Sequence, residues 1–90
     1  MSCGVIATTS ALAIADESES YSGQVKRVWE DGFLLETSER TITVDSYDVC
    51  GDNTGRHITS GDQITVTGEF EWGEFDAFSI QAEDETFLCD

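Results

Sequence analysis

From Tyr21 onward, apolar and polar residues alternate in short runs separated by turn residues, the period of strands rather than helices. Residues 21–29 form the first run, with Val25 and Val28 out of strict alternation, which predicts a strand bulged near Lys26 and Arg27. Glu30, Asp31 and Gly32 follow as a tight turn. Residues 33–37 predict a second strand with Phe33 and Leu35 on one face. After a turn over Ser38, Glu39 and Arg40, residues 41–45 alternate with Ile42 and Val44 inward. The clearest strand is 63–70, which sets Ile64, Val66, Gly68 and Phe70 against Thr65, Thr67 and Glu69. A hairpin turn over Trp72, Gly73 and Glu74 leads into residues 75–82, with Phe78, Ile80 and Ala82 expected inward. The stretch 46–62 is rich in Gly, Asp, Asn and Ser and carries no helical apolar period, so it is expected to be a long irregular connection.

Three strands in a meander, a long connection and a final hairpin give an all-β chain with the strand arithmetic of a five-stranded OB-fold barrel. The bulge fits, because a long first strand in such a barrel must curve to serve both halves of the sheet. A small open sandwich is the alternative. Ninety residues suffice for one domain and one core, assigned to residues 16–90.

The segments Gly23-Gln24-Val25, Asp31-Gly32-Phe33-Leu34-Leu35, Ile42-Thr43-Val44-Asp45 and Ser60-Gly61-Asp62-Gln63-Ile64-Thr65-Val66-Thr67-Gly68-Glu69 carry a family likeness. Over residues 21–82 the chain resembles the bacterial OB-fold (BOF) family and related exported OB domains of unknown function. That resemblance implies a small periplasmic or secreted protein, in some cases linked to stress tolerance, with no defined enzymatic activity. The chain departs from the family in its acidity, its cysteines and its Gly/Asn-rich connection.

Residues 1–15 contain no charged side chain and end in Ala13-Ile14-Ala15 before Asp16 and Glu17, the pattern of a signal peptide and its cleavage site. The basic start of a typical signal is missing from Met1-Ser2-Cys3-Gly4, and the alternative is an N-terminal strand or helix packed on the barrel. The run is too short to span a bilayer, which takes about 20 apolar residues. Cleavage would remove Cys3 and leave an even pair, Cys50 and Cys89, which could bridge the central connection to the C-terminus in an oxidising compartment. Two buried free thiols are the alternative.

Charge changes the picture of partners. With 19 acidic against 4 basic residues, the net charge is -15. Nucleic acids and anionic membranes are repelled, and Lys26, Arg27, Arg40 and Arg56 are too few to promise a basic patch. A cationic small molecule or a basic protein is the easier partner. Most of the carboxylates read as a solvating coat, of the kind found in proteins from salt-loving microbes.

In an OB barrel the loops after strand one and between strands four and five flank the binding face. Trp29 and Trp72 fall there beside Glu30, Asp31, Glu71, Glu74 and Asp76, which predicts an acidic aromatic mouth for a cationic ligand. The competing structural role for both indoles is to lid the barrel ends. Single-stranded nucleic acid stacking on the aromatics is the functional alternative, by analogy with the fold, and a purely structural or protein-interaction role is another. Asp45, Asp48, Asp52 and Asn53 could hold calcium only weakly, since the EF-hand spacing is absent, and a solvated loop is expected. The lone His57, seven residues after Cys50, lacks an orienting third group, so no enzyme, cofactor or metal is expected.

Overall fold

The structure, a computed structural model, describes residues 18–89, so the expected signal segment 1–15 and its cleavage pattern lie outside the described residues. Five strands, β1 (Glu19–Trp29), β2 (Gly32–Thr37), β3 (Thr41–Asp45), β4 (Gln63–Glu71) and β5 (Glu74–Ala82), close a barrel in the order β1-β2-β3-β5-β4. This is the small OB-fold-like barrel expected, and closure leaves no open sandwich edge. β3 and β5 pair parallel and every other pair is antiparallel.

Closure depends on β1. Its first half pairs with β4 and its second half with β2, with Gly23 and Gln24 paired to both neighbours. A register shift between Val25 and Arg27 leaves Lys26 without a partner, at the predicted bulge. The bend keeps Val25 in the core, where it joins Phe33, Leu35, Ile42, Val44, Ile64, Val66, Phe75, Ala77 and Ile80. Tyr21, Phe70 and Phe75 stack edge-on at one side of that core, with centroids 5.1–5.7 Å apart.

The alternation expected for β5 needs correction. Thr67 pairs with Ser79 but Gly68 pairs with Ala77, so Phe78 is an extra residue in a bulge. Phe75 and Ala77 face inward before it and Ile80 after it, while Phe78 is turned outward and 52% exposed. Gly68 makes this possible, since a Cβ there would collide with the Asp76 carbonyl.

The connection is also more ordered than its composition implies. It contains two single-turn helices, α1 (Tyr47–Cys50) and α2 (Thr54–His57), too short to leave a periodic signal in the sequence. Ile58 enters the core directly after α2. Ser46 and Thr54, both fully buried, satisfy each other through a 2.6 Å hydroxyl–hydroxyl hydrogen bond. Beyond β5 the chain doubles back, with Ala82 N donating to Thr86 O and Leu88 N to Ile80 O at 2.8 Å each. That return places Cys89 beside Cys50, and the two form a disulfide with Cα atoms 4.9 Å apart.

Candidate functional site

Sheet register assembles one row around the barrel. Trp29 stands opposite Gly32, Gly32 opposite Asp45, Asp45 opposite Asp76, and Asp76 opposite Glu69. Because Val44, Phe75 and Ala77 face the core, Asp45 and Asp76 fall on the outer face. The Trp29 indole lies over Gly32, where any Cβ would come within 2.8 Å of its Nε1. The turn between β1 and β2 is braced from behind, with Ser46 N donating to Asp31 O at 3.0 Å and Thr54 N to Glu30 O at 3.1 Å.

Carboxylates crowd this row. Partial burial raises the Asp76 carboxyl above the ordinary aspartate range, and the negative charges of Asp48, Asp45, Glu71 and Glu69 push it the same way. No cation offsets them: among the described residues the single ion pair is Lys26–Glu36, at 3.5 Å.

The residues expected to form one mouth are divided. Trp29, Asp31 and Glu74 border a small recess of about 80 Å³ with Thr43, Val44 and Asp45. Asp76 belongs to the adjoining row, whereas Glu30 lines a different groove. Glu71 and Glu74 pair at the end of the β4–β5 hairpin, and Trp72 forms its tip with Gly73. Trp72 sits in the hairpin turn beyond the Glu71–Glu74 pair and does not border the recess. Trp72, 100% exposed, covers no part of the barrel, whereas Trp29, 36% exposed, covers Gly32.

Glu69, Asp45 and Asp48 join the acidic face although sequence alone did not assign them to it. Period-two alternation places Glu69 outward, but only the β3–β5 pairing brings Asp45 beside Asp76. Asp45 also accepts a hydrogen bond from Tyr47 N at 3.0 Å, which orders the entry to α1. No group of three or more His, Cys, Asp and Glu side chains is arranged to hold a metal ion among the described residues. The disulfide occupies Cys50, which removes the thiol from any pairing with His57.

No protein-family model matches this sequence, and no curated protein does. Two solved structures of TiaS, an agmatidine synthetase acting on an isoleucine tRNA, share the fold over 72% of this chain. The complex of TiaS with that tRNA, AMPCPP and agmatine superposes with a TM-score of 0.62 at 19% identity, and the apo form with 0.56 at 18%. The chain spans 18% of the length of each TiaS chain, so the likeness extends to the barrel and no further.

Proposed function

We propose that this protein is a non-catalytic, exported OB-type binding module whose acidic loop face docks a basic protein partner through Trp72. The observation that carries this reading is Trp72 itself. It occupies a left-handed backbone conformation, φ 53°, at the tip of a two-residue hairpin turn, and its indole is wholly exposed. Turns of this kind favour Asn, Asp or Gly, and a bulky side chain there costs about 1–2 kcal/mol. Full exposure forgoes about 1.5–3 kcal/mol of apolar burial as well. The barrel gains nothing from this indole, whereas tryptophans of this kind anchor interfaces.

The tip is convex, and small-molecule sites are concave, so the partner's surface would have to supply the pocket. Glu71 and Glu74 flank the indole, and the acidic row lies behind it, which suits a basic surface and disfavours a nucleic acid backbone. TiaS in its complex holds a tRNA, but at 19% identity that ligand does not carry over to this loop face. Export is supported by the Cys50–Cys89 disulfide together with the signal-like residues 1–15.

Calorimetric titration of the full chain with an oligolysine peptide at low and high salt tests the site. Binding should weaken with salt and fall by at least about tenfold in Trp72→Ala. Equal affinity in that variant, or tighter binding of single-stranded DNA than of the peptide, refutes it. Mass spectrometry of the protein from its native source tests export: a mature start at Asp16 with the bond intact is expected, and Met1 retained with free thiols would overturn it.

A further inference from the structure

A second surface gathers most of the chain's cations beside two carboxylates, Glu30 and Asp52. Between β1 and the β3–β4 connection lies a groove of about 570 Å³, and three of the four basic residues, Lys26, Arg27 and Arg56, line it with Trp29. We infer that this groove is a binding site for a nucleoside monophosphate, with the phosphate held by Arg27 and Arg56 and the base against the Trp29 indole.

The groove is built by the backbone. At one end Val25 N donates to Asp62 O (2.9 Å), Gly61 N to Val25 O (2.7 Å) and Ser60 Oγ to Lys26 O (3.3 Å). The other end is closed by Thr54 N donating to Glu30 O at 3.1 Å. Between these clamps the bulged second half of β1 and residues 55–59 part. The gap is open beside Gly55, where a Cβ would meet nothing nearer than Val28 Cγ1 at 4.0 Å. Val28 and the buried Ile58 give the groove its apolar lining. Hydrogen bonds at both ends hold the shape in the absence of ligand, and the volume is that of a small-molecule site.

Charge selects the occupant. Carboxylates outnumber cations almost five to one in this chain, yet among the described residues neither Arg27 nor Arg56 has a carboxylate within ion-pair distance. Lys26 is committed to Glu36, which leaves the two guanidinium forks as the groove's open phosphate donors. Glu30 and Asp52 belong to the end closed by the Thr54 bond, where they can accept hydrogen bonds from ribose hydroxyls. Trp29 offers a ring already set in position over Gly32. A polyanionic strand running past the groove would meet the carboxylate coat, whereas a mononucleotide confines its charge within it.

Heteronuclear NMR of the full chain titrated with AMP is the test. Saturable shifts are expected at the backbone amides of Lys26, Arg27, Arg56 and Ser60 and at the Trp29 indole, with Glu71–Glu74 unmoved. The latter result separates this site from the hairpin tip. Arg27→Ala/Arg56→Ala should weaken binding at least tenfold with an unchanged spectrum elsewhere, and Trp29→Leu should abolish the preference for AMP over inorganic phosphate. The inference is overturned by any of three results: no saturable shift at millimolar AMP, equal affinity in the double arginine variant, or an oligonucleotide binding more tightly than AMP.

Discussion

Breaking the Cys50–Cys89 bond frees two residues 39 positions apart in the sequence. In the unfolded chain that crosslink removes loop-closure entropy of about 2.1 + 1.5R ln n cal/mol/K, which for n of about 40 comes to about 13 cal/mol/K, or about 4 kcal/mol at 25 °C. A domain of this size has about 5–15 kcal/mol in total, so the loss is a large share of it. Alanine is the suitable replacement, because Cys50 is buried and a hydroxyl there would need a partner. Urea unfolding of Cys50→Ala/Cys89→Ala is compared with the oxidised parent, both carrying Cys3→Ser to prevent thiol exchange. The variant should lose about 4 kcal/mol by linear extrapolation, with a steeper m-value because its unfolded chain expands further. A loss below about 1 kcal/mol with m unchanged would refute the assignment of the bond's stabilisation to the unfolded chain.

Other residues give equally direct tests. Thr54→Val leaves the buried Ser46 hydroxyl unpaired and should cost about 1–3 kcal/mol in thermal unfolding, of which adding Ser46→Ala recovers part; strictly additive single effects would exclude the pairing. The raised Asp76 carboxyl contributes stability that is fully present below its unfolded pKa and lost as pH rises through the higher folded value. Asp76→Asn should therefore be more stable than the parent at neutral pH, with the gap closing in acid and narrowing in salt; a destabilised variant at neutral pH contradicts the charge crowding. Gly68→Ala should cost more than about 4 kcal/mol or prevent folding, read from urea midpoints, because its Cβ would overlap the Asp76 carbonyl.

Much of the barrel is legible in the chain, because strand alternation is a local property. Ile42 and Val44, or Ile64 and Val66, declare their face within a few residues, and the bulge at Lys26 shows as a break in phase. The corresponding break at Phe78 stays hidden. Phe75 and Phe78 are equally apolar, and only the need of Gly68 to face Ala77 chooses between them. The helical turns α1 and α2 are hidden for a different reason: a single turn buries too few residues to set a period, so composition reads as loop.

The candidate sites divide along the same line. Local pattern was enough to put Trp29 at the end of the first strand and Trp72 in a hairpin turn, both beside carboxylates, and to mark Cys50 and Cys89 as a possible pair. Composition was enough to set the large negative charge against which any partner must be judged. Three further facts emerge only on folding: the indoles belong to separate surfaces, Asp45 adjoins Asp76, and Arg56 joins the neighbouring Lys26 and Arg27 in one groove. Those are contacts between strands and a connection far apart in sequence. Barrel closure and the hydrogen bonds that clamp the connection to β1 fix them, and no local pattern encodes a distance between segments.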